Sequence, residues 1–307
     1  MLKETDKVRP GALKFIASGH YTSALPGTRE YYEFWDEEHK RCMYGYKVDD
    51  LHITGFHYFY LNYCPIDRAV DELMPDGTLQ ARRERTFPRF YDGDYEYFHE
   101  IDKARAQNKH MIVLKARRKG YSYKAGSMLA RNYFFVRNSK NFVFASSKEF
   151  LIGDGLLSKA WEFLSFIDDH TAWAQPRLRD REMHKMSGYK KKVNGMEIEM
   201  GMKSQIIGVS LKDNPDKVRG KAGELVFFEE AGSFPGLLKA LNKADGNQAL
   251  AILSSYADYE MAEVVPVVVE KPVPVPVPMG GGEDRANVMP RTVTSGRSFS
   301  DILYKGG

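Results

Sequence analysis

The stretch that most constrains the fold of this chain is residues 111–124, MIVLKARRKGYSYK. Four apolar residues, Met111, Ile112, Val113 and Leu114, lead through a basic turn to Gly120-Tyr121-Ser122, and residues 125–137 read as a helix. A buried strand, a tight basic turn and a helix start make a cradle for an anion. Backbone N–H groups and the positive end of the helix dipole converge there. A complete phosphate loop reads Gly-x4-Gly-Lys-Ser/Thr. Here the first glycine is missing and Tyr121 stands where the lysine belongs. The same residues also suit a plain strand–turn–helix with solvated basic side chains.

A second stretch bears on the first. Residues 224–232, ELVFFEEAG, place Leu225, Val226, Phe227 and Phe228 before two adjacent acids, Glu229 and Glu230. Where a phosphate loop serves ATP hydrolysis, a buried parallel strand ends in an acid that holds Mg2+. A neighbouring acid can polarise the attacking water. Strand residues alternate in direction, but at the strand's end the chain turns and both acids can reach one site. On this reading Glu229 serves the metal and Glu230 the water. The alternative is two charges capping a strand where solvent begins. The loop lies about a hundred residues upstream, a placement common in doubly wound folds.

At 307 residues the chain can hold one large domain or two. Its 43% hydrophobic and 28% charged residues are those of a soluble globular protein. A net charge of +4 accommodates a nucleic-acid partner without requiring one. Cys42 and Cys64 form no CxxC pair, which points to free thiols in a reducing compartment. The first ten residues, MLKETDKVRP, lack the apolar core of a signal peptide. No apolar run reaches the length of about 18 residues that spans a membrane. The expectation is a soluble intracellular protein.

Residues 51–66, LHITGFHYFYLNYCPI, read as a strand pair, or as a strand and a turn, ending at Pro65. Their aromatics suit a core or, less simply, base stacking. His52 and His57 have no partners at metal-ligand spacing. Residues 81–85, ARRER, are basic, and residues 86–91, TFPRFY, are placed to cover an adenine ring. Residues 92–108 form an amphipathic helix with Tyr95, Tyr97, Phe98 and Ile101 inward. A strand follows at 141–147. A helix at 148–167 buries Phe150, Leu151, Leu156, Leu157, Trp161, Phe163 and Leu164. Residues 168–192 are a polar, basic excursion, either a DNA-backbone contact or a solvated loop. Residues 196–211 alternate like a β-hairpin, and 249–253 can add one more strand.

From about 257 onward, alternating Pro and Val argue for an extended, disordered tail, because proline donates no ladder hydrogen bond. The whole reads as an α/β protein, a three-layer P-loop NTPase-like domain with a mainly parallel sheet. Residues 1–84 are an aromatic-rich N-terminal region with a hairpin-like segment, 85–256 the ATPase domain, and 257–307 the low-complexity tail.

With LHITGFHYFYLNYCPI, KARRKGYSYKAGS, the Arg219-Gly220 of KVRGKAGELVFFEEAGSF and the glutamate pair in place, residues 31–241 resemble the ATPase half of the large terminase subunit of tailed bacteriophages. That family tolerates a deviant phosphate loop in which a basic residue near the loop's start replaces the missing lysine. The resemblance puts Arg117 at that position, Gly120 at the second loop glycine and Ser122 at the Mg2+-binding hydroxyl. Glu229 falls where aspartate is usual, and Glu230 at the catalytic acid. Arg118, Lys119 and Tyr121 complete the ATP-binding set, with Arg117 also catalytic through charge on the phosphoryl group. The resemblance implies ATP and Mg2+ as cofactors, and double-stranded DNA, the portal protein and the small terminase subunit as partners. It also implies a homo-oligomeric ring on the portal, in the cytoplasm of an infected bacterium.

The departures are specific. Tyr121 replaces lysine, residues 252–255 (ILSS) are a remnant of the coupling motif, and the Pro/Val tail has no counterpart of the family's nuclease domain. The chain therefore reads as a terminase truncated before that domain, with no nuclease activity expected. Two alternatives stay open: a helicase-like, DNA-stimulated ATPase, or a catalytically impaired DNA- or portal-binding fragment.

Overall fold

A computed structural model describes residues 6–74, 78–115, 119–212, 214–218, 221–231, 250–256 and 265–270. After a 3-10 turn at Asp6–Val8, helix α1 (Pro10–Ser18) opens with proline, whose missing N–H costs nothing there, and closes on Gly19 at φ 76°. Helix α2 (Arg29–Tyr44) is capped by the Thr28 side chain, which accepts from the Tyr31 N–H. Strands β1 (Tyr46–Val48) and β2 (Leu51–Ile53) form a short antiparallel pair. Helix α3 (Gly55–Tyr63) follows, its Thr54 cap accepting from the His57 N–H.

Helix α3 corrects the reading of residues 51–66 as a strand pair: only Leu51–Ile53 is extended. Every residue of α3 is buried, so no polar face marks the helical period, and its aromatics imitate strand composition. The hairpin of this region lies just beyond, where β3 (Ile66–Leu73) pairs antiparallel with β4 (Leu79–Thr86).

Helix α4 (Asp92–Ala106) turns Tyr97, Phe98 and Ile101 inward, as expected, with Tyr95 half-buried. Next come β5 (Lys109–Lys115), α5 (Tyr121–Phe135), β6 (Lys140–Ala145) and α6 (Leu156–His170). Helix α6 starts later than expected. Leu151 is buried in the preceding turn, and Phe150 is 41% exposed. Strands β7 (Arg177–Arg181), β8 (His184–Ser187), β9 (Tyr189–Val193), β10 (Met196–Met200), β11 (Gln205–Ser210), β12 (Leu225–Phe228), β13 (Leu250–Tyr256) and β14 (Val265–Glu270) complete the described chain.

Eight of these strands form one mixed sheet in the order β14-β5-β13-β12-β6-β11-β8-β7. The neighbouring pairs β5–β13, β13–β12, β12–β6 and β6–β11 are parallel. Strand β14 on one side and β8 and β7 on the other run antiparallel to their neighbours. The excursion at 168–192 thus supplies a sheet edge. The alternation at 196–211 is not one hairpin, because β10 pairs with β9 whereas β11 lies parallel to β6. Local alternation specifies strands but not their partners. Most of the residues from 257 onward lie outside those described. Within them Val265–Glu270 pairs with β5, where an edge position tolerates the single Pro266.

The core centres on α5, buried on nearly every side. At Gly126 a Cβ would lie 3.1 Å from the Ala160 nitrogen and 3.2 Å from Lys159 Cβ, so glycine permits the close approach of α6. Arg131 of α5 donates to the carbonyls of Cys42 and Met43, both at 3.0 Å, and stacks over Phe56. These contacts tie the N-terminal helices α2 and α3 to α5. Both cysteines are free and buried. Among the described residues no helix is long and apolar enough to cross a membrane.

Candidate functional site

The site lies where parallel strands end. Strand β13 separates β5 from β12 and sets their levels: Phe228 is opposite Leu253, and Leu253 opposite Ile112. The segments leaving β5 and β12 therefore emerge on the same edge of the sheet, outside the carboxyl ends, where open α/β sheets bind ligands. From β5 the chain passes to Lys119 and then Gly120, whose φ of 71° is the left-handed conformation that glycine adopts without strain. A Cβ there would meet only Tyr60 Oη at 3.9 Å, so backbone conformation rather than space calls for glycine. Gly120 is the N-cap of α5 and offers no side chain to the first helical amides. Those N–H groups and the helix dipole are available to an anion.

Strand β12 is buried at all four positions. Its ladder runs one residue further, through the Glu229 N–H to the Phe144 carbonyl at 2.9 Å. Glu230 then takes φ 53°, uncommon for a residue with a side chain, and the turn ends the strand. The two regions meet where Ser122 Oγ, in the first turn of α5, donates to Glu229 Oε1 at 3.1 Å. Glu229 is 6% exposed, and Ser122 and Glu230 are half-buried.

Among the residues expected from sequence, Gly120, Tyr121, Ser122 and Glu229 converge here, with Glu230 adjoining. The Tyr121 ring is turned into the core, edge-on to Tyr97 with ring centres 5.1 Å apart. Among the described residues its buried hydroxyl has no hydrogen-bond partner. Burial, and then the Asp94 charge, hold that phenol well above its ordinary range. At the position of the missing lysine the chain thus presents a backbone N–H at the helix start, with the side chain inside. Lys119 is exposed, and Arg117 and Arg118 lie outside the described residues. Of the residues placed to cover a ring, Phe87 is 4% exposed and packs against Phe15 and Phe166, while Phe90 lies against His57. Phe87 belongs to the core, and Phe90 packs half-buried against it.

Sequence reasoning missed the pair beneath the loop. Lys124 Nζ lies 2.5 Å from Asp94 Oδ1 and donates to the Lys119 carbonyl at 3.1 Å. It also stands over the Tyr121 ring at 4.0 Å. The signal was available: Lys124 falls on the same helical stripe as Tyr121 and Met128, and Asp94 on the stripe of Tyr97, Phe98 and Ile101. Opposite charges on two apolar stripes call for pairing.

Neither a protein-family model nor a curated protein matches the sequence. In structure, the chain is similar to large terminases of phages. One is a point mutant of the large terminase ATPase domain of Thermus phage P74-26. It is 15% identical over 57% of this chain and 68% of that one, with a TM-score of 0.38. The HK97 bacteriophage large terminase is 15% identical over 65% of this chain and 36% of that one, with a TM-score of 0.42. The large terminase of the thermophilic bacteriophage D6E is 11% identical over 46% and 32%, with a TM-score of 0.32. This chain spans about a third of the HK97 and D6E proteins.

Proposed function

We propose that this chain is the ATP-binding and ATP-hydrolysing motor domain of a phage DNA-packaging terminase, moving double-stranded DNA into a preformed capsid. The observation that supports it most directly is the hydrogen bond from Ser122 to Glu229, residues 107 positions apart. A hydroxyl from the first turn after a basic loop meets an acid at the end of a buried parallel strand, as a P-loop NTPase-like domain requires.

The donor set fits Mg2+, a hard cation that takes oxygen ligands and is held by few protein groups beside the phosphates. Ser122 and Glu229 would hold it. When bound, the ion supplies charge to offset that of the β- and γ-phosphates. The chain's own residues do the rest. The N–H groups from Gly120 onward hold phosphate oxygens at the start of α5. Glu230 orients the hydrolytic water. Arg117, with Arg118 and Lys119, balances the charge that develops on the transferred phosphoryl group, usually the dominant contribution in such sites. Arg179, Arg181, Lys191 and Lys192, exposed on β7 and β9, offer positive charge to DNA phosphates. This reading implies the portal and the small terminase subunit as partners, and a ring of copies working in the cytoplasm of the infected bacterium.

Glu230→Ala tests the assignment. Phosphate release should fall by a factor of about 10²–10⁴, the range for removing a general base, while Mg2+-ATP still raises the melting temperature. Hydrolysis at the parent rate would sink the role of Glu230.

A further inference from the structure

A lysine in the first turn of a helix opposes the helix dipole, and burying its charge is costly. Lys124 does both, at 3% exposure. Its partners nevertheless include, among the described residues, Asp94 Oδ1 at 2.5 Å, the Lys119 carbonyl at 3.1 Å and the faces of Tyr121 and Tyr97 at 4.0 and 5.8 Å. Two apolar side chains filling the same space would serve stability as well, since replacing a buried ion pair in that way is often neutral. What an apolar pair cannot do is hold the Lys119 carbonyl.

That carbonyl fixes the last peptide of the loop. The described residues contain no cis peptide bond, and in a trans peptide the C=O and the following N–H point in opposite directions. Drawing the Lys119 carbonyl down to Lys124 therefore turns the Gly120 N–H the other way, out from the core. The left-handed Gly120 continues this geometry into the helix amides, forming the concave run of N–H groups that binds anions. Asp94, in the first turn of α4, keeps Lys124 under the loop. Tyr121 occupies the standard lysine position and points inward, so the nearby buried cation acts on the backbone from beneath.

We propose that Lys124, held by Asp94, is a positioning residue that orients the Gly120 N–H toward the nucleotide's phosphates. The proposal rests on the ATP-binding reading above. It assigns Lys124 no contact with the nucleotide.

The test uses the full chain as parent, as Lys124→Met/Asp94→Leu and as Lys124→Arg. Melting without ligand is compared with Mg2+-ATP titration. The double variant removes both charges together and should melt within a few degrees of the parent. It should bind Mg2+-ATP about tenfold more weakly, the effect of one misdirected hydrogen bond to a charged group. Lys124→Arg keeps charge and donors and should remain close to the parent. Equal affinity in the parent and a folded double variant overturns the positioning role and leaves the ATP reading intact. A folded parent that binds no ATP overturns both. If the double variant does not fold, amide hydrogen exchange in the parent decides. The segment 119–124 should gain protection with Mg2+-ATP, and unchanged exchange there alongside measured binding overturns the proposal.

Discussion

Two buried glutamates sit in opposite surroundings. Glu38 of α2, 3% exposed, accepts hydrogen bonds from Tyr58 and Tyr63 on one oxygen, at 2.8 and 2.5 Å, and from Arg41 on the other at 2.8 Å. All its partners come from α2 and α3, inside the aromatic N-terminal layer. Burial, and then Glu38 itself, hold the Tyr63 hydroxyl well above the usual phenol range, so the cluster is a carboxylate clasped by neutral rings and one guanidinium. Glu229 is nearly as buried, but its serine partner belongs to a helix start and its own position to a strand end. Burial of an acid therefore does not mark a site. Glu38 faces the inside of a helical layer, whereas Glu229 faces the edge where β5, β13 and β12 end. The first arrangement can only hold the fold together; the second can meet a ligand.

The largest expected effect breaks the first arrangement. Glu38→Ala leaves two buried tyrosine hydroxyls without their shared acceptor and leaves the half-buried Arg41 with Glu37. Removing one partner of a buried ion pair typically costs about 3–5 kcal/mol, to be read from urea unfolding. The surviving folded fraction should bind Mg2+-ATP like the parent. If Glu38→Ala cost less than Glu229→Ala, the contrast between the two glutamates would be reversed.

The same layer holds His57, fully buried, with its ring stacked on Phe90 and Phe98 and, among the described residues, neither ring nitrogen hydrogen-bonded. Burial, and then the charges of His99 and Lys124, lower its pKa to about 3 from the ordinary 6.5. Between those two values the unfolded chain binds a proton that the folded chain refuses, so stability falls as the pH drops through that window. The slope is about 1.4 kcal/mol per pH unit for one proton. His57→Phe should flatten that share of the profile in melts from pH 7 to pH 4. Parallel profiles for parent and variant would show that His57 is not held neutral.

Strand β12 and helix α3 explain how much could be read in advance. Both are apolar without a polar face. Residues 225–228 are too few for a helix and end in charge, so the strand was legible. Residues 55–63 have a helix's length, and their decisive sign was a single capping threonine, Thr54, outweighed by β-forming aromatics. The signals of the candidate site are local: a strand end, Gly120 at a helix start and two acids after an apolar run. Which charge meets Lys124, and that β11 lies beside β6, were not legible, because each depends on elements far apart in the chain; β10 was misassigned although its partner β9 is its immediate neighbour. A period shows which face is buried, not what covers it.

The smallest expected effect sharpens the contrast at Glu229. Ser122→Ala removes one hydroxyl from a half-buried position and leaves the Glu229 N–H bond to Phe144 in place, so stability should change by only about 1 kcal/mol. In Glu38's layer a lost hydroxyl would be felt only as stability. At a strand-end site the loss should appear in binding instead, and only with the metal present. Ser122→Ala should weaken ATP binding about tenfold with Mg2+ and leave it nearly unchanged with EDTA, as read by nucleotide titration in both buffers. An equal loss in both buffers would make Ser122 a phosphate donor rather than a metal ligand. No loss in either would place Ser122 with the tyrosines around Glu38, as a hydroxyl that serves packing alone.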